Sequence, residues 1–292
     1  MSSSVPSVVY VNGTFYTEEQ AALSALDRGF TLGDGLFETM RARRGRIFRL
    51  LQHLARLRQG ALVLELPLPA EGKLAGALQE ALARLPSAEA VVRLTISRGV
   101  DGGRGLALPL QPSPTIVIRA TPLVVYPAEA YQRGLGVHLS GIRRNDSSPL
   151  SKIKSTNYGD AILARHEAAK LGSDDAVLLN TRGEVACASA ANLFIVSSER
   201  LLTPPRESGV LPGVTRACVL DLAAALKINA AESPFGPEAL AQADEAFLTN
   251  SLVGVLPLTR VNGRPIGSGR PGPVTARLAV AYGRLVQEEL GN

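Results

Sequence analysis

Lysine is scarce in this chain, and two of its five lysines, Lys152 and Lys154, lie in a short run of small and polar residues, 147–157. A primary amine partly withdrawn from water can lose its proton, add to a carbonyl and carry protons between atoms. Lys73, Lys170 and Lys227 fall in or at the ends of amphipathic helical stretches, where solvated surface charge explains them. Two residues apart on a strand means the same face, so residue type alone leaves Lys152 and Lys154 both open. Other residues suit an anion. Arg56 follows His53 by three positions, on one face of a leucine-rich helical stretch. The run Gly213-Val214-Thr215-Arg216 opens a helix, where exposed N–H groups and the positive dipole end attract negative charge. Thr215 is equally an ordinary helix cap. Arg104 sits in the glycine-rich loop 98–106, which is able to lie close over a ligand.

The elements that must carry these groups follow from local pattern. Asn12-Gly13 between β-forming residues predicts a hairpin over 8–16, because both turn residues accept positive φ. A glycine-rich run, Gly33-Asp34-Gly35-Leu36-Phe37-Glu38-Thr39, enters a strand, and a second hairpin turns near Arg44-Gly45. Apolar spacing predicts helices over 50–64 and 70–85, then strands over 91–97 and 115–120. Residues 122–136 change character and read as a link between domains 1–121 and 137–292. Beyond a strand at 137–142, Lys152 and Lys154 sit on a short extended piece leading into a helix over 157–171. That helix carries Ala161, Ile162, Ala164, Ala168 and Leu171 at helical spacing and is stopped by Gly172. Strands over 176–180 and 184–187 follow, then the helix after Thr215. A strand and tight loop over 245–257, a turn at Asn262-Gly263 and an amphipathic helix over 274–290 complete the pattern.

At 292 residues the chain can bury a sizeable core in one or two domains, and 46% hydrophobic with 20% charged residues suits a soluble globular protein. The net charge of +5 comes from scattered arginines with no long basic run, which argues against a nucleic-acid partner. No apolar run reaches the ~20 residues that span a bilayer. The start lacks a basic, apolar leader, and Cys187 and Cys218 have no metal-ligand spacing, so a reducing cytoplasm is expected.

Lys154-Ser-Thr-Asn157-Tyr158, His166-Glu-Ala168, Gly172, Asp175-Ala-Val-Leu-Leu179, Gly183 and Asn192-Leu-Phe194 together resemble the core of the class IV aminotransferases. These are the fold-type IV pyridoxal 5'-phosphate (PLP) enzymes: branched-chain and D-amino-acid transaminases and 4-amino-4-deoxychorismate lyase. The resemblance covers most of the chain. It implies a two-domain α/β (α+β) fold, with a small N-terminal domain, a larger C-terminal pseudo-barrel domain and PLP between them. It also implies a homodimer acting on a small amino substrate that bears a carboxylate. The lysine-x-x-asparagine spacing then selects Lys154 as the Schiff-base lysine. Arg56, in the H-x-x-R-L pattern, would hold the cofactor phosphate with the main chain at Val214 and with Thr215. Tyr158, Asn192, Ser251 and Leu252 would complete the cofactor site. Phe37 and Thr39 would face the substrate, and Arg104, in an S-R-G…G-G-R-G loop, would bind its carboxylate.

One position departs from the family pattern. An acidic residue normally stands five before the asparagine of N-L-F, where it keeps the pyridine nitrogen protonated. Here it is Cys187. A thiol is a poor substitute unless its pKa falls well below about 8.5, so a weaker electron sink is expected. The T-N-S-L-x-G-V-x-P run at 249–257, the G-G-R-G loop and the A-A-N-L-F ending favour the lyase. Aromatisation of its product also tolerates a weak sink. Asn157-Tyr158 and the F-E-T strand are shared with transaminases, and a non-catalytic PLP-binding protein is a third reading, motivated by Cys187.

Overall fold

The computed structural model describes residues 7–101 and 105–291, and the chain divides into two compact units. The first runs to Val124 and also takes in Ile153–Asn157 and the end of the chain from Glu289; the second comprises Val125–Lys152 and Tyr158–Glu288.

The first unit contains β1 (Val8–Val11), β2 (Thr14–Tyr16), α1 (Arg28–Leu32), β3 (Gly35–Arg43), β4 (Arg46–Ile47), α2 (Leu50–Leu64), α3 (Glu71–Ala83), β5 (Glu89–Ser97) and β6 (Thr115–Pro122). Its six strands form one antiparallel sheet in the order β2-β1-β6-β5-β3-β4. Asn12 and Gly13 take the positive φ expected of them, 47° and 105°. Side chains alternate along β3. Leu36 and Met40 join Val92, Leu94, Ile96 and Ile118 in a core closed by Leu54, Leu57, Leu74 and Leu78 of α2 and α3. Phe37 and Thr39 occupy the opposite face.

Residues 153–157 belong with this first unit, although the sequence boundary at 137 assigns them to the second domain. The reason is hydrogen bonding to β3: Phe37 N donates to Lys154 O at 3.0 Å and Thr156 N to Gly35 O at 2.9 Å. Ile153 adds its side chain to the core.

The second unit carries α4 (Ala128–Arg133), β7 (Leu135–Arg144), α5 (Gly159–Lys170), β8 (Asp175–Asn180), β9 (Val185–Ala188), β10 (Asn192–Ser197), β11 (Arg200–Thr203), α6 (Val214–Ala225), β12 (Asn229–Glu232), α7 (Pro237–Ala241), β13 (Glu245–Asn250), β14 (Gly254–Val261) and β15 (Arg264–Pro265); α8 (Pro273–Leu290) closes the chain. The mixed sheet runs β12-β11-β10-β13-β14-β7-β8-β9, with β15 on β14. Val177 and Leu179 on one face of β8 join Leu193, Ile195, Leu248 and Leu256 in the main core. Residues 122–136 are not a plain link, since they hold the end of β6, all of α4 and the start of β7. Among the described residues no helix is long and apolar enough to cross a membrane.

Two local expectations need correction. Lys152 ends a 3₁₀ helix, Pro149–Lys152, and is exposed; it does not share a strand face with Lys154. Proline opening a run of compact turns accounts for the difference. On α5 only Ala164 and Ala168 are buried, against Ala176 and Leu178 of β8. Ile162 and Leu171 are exposed, because small alanines let the helix sit close on the sheet and leave no room for a wider stripe.

Candidate active site

Within the first unit, the partly buried Lys154 amine lies 4.2 Å from the centroid of the Phe37 ring, and the Arg93 guanidinium carbon lies 3.8 Å from the same centroid. The electron-rich ring face attracts both cations. Thr39, half-buried, stands directly across from Arg93 in the β3–β5 register.

The other face of β3 carries an acid where the alternation calls for an apolar residue. Glu38 is fully buried. Its Oε1 accepts from Arg56 Nε at 2.8 Å, and its Oε2 accepts from Arg56 Nη2 at 2.5 Å and from His53 Nδ1 at 2.6 Å. Burial alone would raise the Glu38 pKa, but the charge and hydrogen bonds of Arg56, with those of His53, outweigh it and hold the carboxyl at about 2. Burial pushes His53 below its usual value; Glu38 opposes that, while Arg56 and Lys154 reinforce it. An ionised Glu38 can only accept, so a neutral His53 carries its proton on Nδ1.

These shifts set an acid limit on stability. His53 is harder to protonate folded than unfolded, so stability falls as pH drops through and below about 6.5. Glu38, depressed from 4.5 to about 2, loses its contribution between those values. That contribution is on the order of 3 kcal/mol, and the two effects have the same sign. Urea unfolding from pH 7 to pH 3 should show the midpoint falling in both windows; a flat profile would refute the assignment.

Within the second unit, α6 begins at Val214 after Gly213, an N-cap residue with no side chain to offer. Its first N–H groups therefore face outward from the helix end. Thr215 is buried, its hydroxyl 3.5 Å from that of Tyr282. Asn192 holds the preceding loop, donating from Nδ2 to Leu211 O at 3.0 Å. A Cβ placed on Gly213 would come 2.0 Å from Asn192 Oδ1, so the approach requires glycine. Across from Asn192, the hydroxyl of Thr249 is buried with no hydrogen-bond partner among the described residues.

The following turn is built by Asn250, whose Oδ1 accepts from the amides of Leu252 at 2.9 Å and Val253 at 3.0 Å. The Leu252 amide is thereby already engaged, and Ser251 beside it is half-buried. Tyr158 stands half-buried at the start of α5. Cys187 pairs across the sheet with Leu178. Burial pushes its thiol up, the nearby Arg144 charge lowers it to a smaller extent, and Asp175 raises it. The thiol is therefore protonated at neutral pH. Arg104 lies outside the described residues.

Of the expected residues, Phe37, Thr39, Arg56 and Lys154 lie in the first unit, and Tyr158, Cys187, Asn192, Val214, Thr215, Ser251 and Leu252 in the second. Glu38 and Arg93 escaped sequence reasoning. A signal for Glu38 existed: an acid alternating with Leu36 and Met40 on a core-facing strand must find partners.

The family model for amino-transferase class IV matches residues 35–261. The chain belongs to the class IV aminotransferases. A putative branched-chain-amino-acid aminotransferase of Methanocaldococcus jannaschii is 34% identical over 272 residues, 92% of this chain and 93% of its own. The aminodeoxychorismate lyase of Bacillus subtilis is 28% identical, covering 96% of this class IV chain and 95% of its own. Among solved structures, a T.th. branched-chain amino acid aminotransferase with pyridoxamine 5'-phosphate superposes with a TM-score of 0.90 at 30% identity, covering 97% of this chain and 94% of its own.

Class IV aminotransferases use PLP, and the residues present fit it. Uncapped amides and a buried threonine hydroxyl at the α6 start suit a phosphate. The Thr249 hydroxyl beside Asn192, buried and without a partner among the described residues, is a polar atom that a polar ligand would satisfy. Lys154 carries a primary amine of the kind that the PLP aldehyde condenses with.

Proposed function

We propose that this class IV enzyme is a lyase that converts 4-amino-4-deoxychorismate to 4-aminobenzoate and pyruvate, working as a cytoplasmic homodimer. The observation that carries the reading is Cys187 itself, standing where the family pattern has an acid, with a thiol that burial pushes above its ordinary pKa. A neutral thiol holds a pyridinium proton poorly, so reactions with their own driving force are favoured, and aromatisation supplies one. PLP, when bound, supplies an electron-withdrawing ring joined to the substrate nitrogen.

Lys154 Nζ takes the proton from the ring carbon that bears nitrogen. The neighbouring bond to the enolpyruvyl oxygen breaks with its electron pair on oxygen, and the ring becomes aromatic. Lys154 returns the proton to the departing enolpyruvate, which tautomerises to pyruvate. Arg56, Val214 and Thr215 hold the phosphate, and Tyr158, Asn192, Ser251 and Leu252 complete the cofactor site. Phe37 and Thr39 orient the substrate, with Arg93 and Arg104 as partners for its carboxylates.

A second reading is amino-acid transamination, favoured by the archaeal relative and the T.th. structure. Incubation of the holoenzyme with aminodeoxychorismate and no keto acid should yield fluorescent 4-aminobenzoate. Exchange that requires a keto acceptor would replace the lyase reading with the transaminase. Activity in neither assay would leave PLP binding alone.

Cys187→Glu tests the carrying observation. A carboxylate there should raise turnover about tenfold, or ~1.4 kcal/mol of barrier. Unchanged or lower turnover in the correctly folded variant would count against a weak electron sink.

A further inference from the structure

We infer that Glu38 is a positioning residue for cofactor binding, which fixes Arg56 so that a phosphate meets a preset guanidinium. The inference rests on the proposed role of Arg56 as a phosphate ligand. Glu38 is fully buried on β3 and comes from the strand face that otherwise feeds the apolar core. A carboxylate in that setting is costly unless its partners satisfy it. Two side chains of α2, one helical turn apart, do so: His53 and Arg56.

The contact geometry limits what Arg56 can do. Glu38 takes the Nε and Nη2 edge of the guanidinium in a two-bond fork, which fixes its plane as well as its position. A phosphate bound by Arg56 would then meet a guanidinium whose plane Glu38 has already set. His53, donating from Nδ1, holds Oε2 against rotation and adds no charge while neutral. The pair Glu38–Arg56 is therefore close to electrically neutral. On this account the phosphate is selected by a fixed donor direction more than by net positive charge, and an arginine ordered before binding loses little freedom when the ligand arrives.

Two variants separate position from charge. Glu38→Asp keeps the charge but retracts the carboxylate by one methylene, and Glu38→Gln keeps the reach but removes the charge. Apoprotein is titrated by absorbance with PLP and, separately, with pyridoxal, which has the aldehyde but no phosphate. Circular dichroism and thermal unfolding report whether each variant is folded.

Both variants should bind PLP at least about tenfold more weakly while pyridoxal affinity stays within about threefold, because only the phosphate reads Arg56. Glu38→Gln binding PLP as tightly as the parent, or more tightly, would overturn the inference in favour of a purely electrostatic role. Equal losses for both ligands would overturn it in favour of general structural support. Arg56→Ala is the control for the underlying reading. If it keeps the parent's preference for PLP over pyridoxal, the phosphate role of Arg56 has failed and the inference falls with it. If it loses that preference while the Glu38 variants retain it, the role of Arg56 stands and the inference alone fails.

Discussion

Lys154→Ala should lower turnover by roughly 10³-fold or more, because the proposed function makes this one amine both attachment point and proton carrier. Mixing the variant with PLP should also fail to produce the visible absorption that accompanies a covalent link between an amine and the cofactor aldehyde. Residues 153–157 are hydrogen-bonded to β3, and this holds the Lys154 side chain against Phe37. Lys152 is exposed at the end of its 3₁₀ helix, so Lys152→Ala is the matched control and should leave absorption and turnover unchanged. Loss of the band in Lys152→Ala, with retention in Lys154→Ala, would reverse the assignment.

The second large effect is expected at Gly213, where a single methyl should cost about tenfold to a hundredfold in PLP affinity and ~1–3 kcal/mol of stability. Backbone strain is not the reason, since Gly213 has φ −69° and any residue could adopt it. Space is the reason. The new Cβ would meet Asn192 Oδ1 at 2.0 Å and Arg216 Cβ at 3.2 Å. Asn192 is buried and bonded to Leu211 O, so the loop must yield, carrying the first amides of α6 with it. Removing the obstacle should restore binding in part: Gly213→Ala combined with Asn192→Ala should bind PLP better than Gly213→Ala alone. An unimpaired spectral titration of Gly213→Ala would refute the account.

Local chemistry made much of the fold legible. Asn12-Gly13 specified its hairpin, and the leucine spacing placed α2 at Leu50–Leu64. The start of α6 followed from glycine and threonine ahead of an apolar helix. What stayed hidden depends on contacts between segments far apart in sequence. Ile162 and Leu171 have the right spacing for a buried stripe, yet only the alanines meet β8. The partners of Glu38 lie 15 and 18 residues away, and Arg93 gains meaning only through the β3–β5 register that sets it beside Phe37. The clash that makes Gly213 necessary comes from Asn192, at the start of β10.

The attachment of residues 153–157 to β3 has a consequence for synthesis. A ribosome releases every strand of the N-terminal sheet before the lysine segment that pairs with β3. By then β7 has already emerged. The N-terminal body therefore cannot finish folding during translation until part of the next one has left the exit tunnel. A nascent chain halted before residue 153 would leave the backbone at the start of β3 without that pairing, an edge open to chaperones.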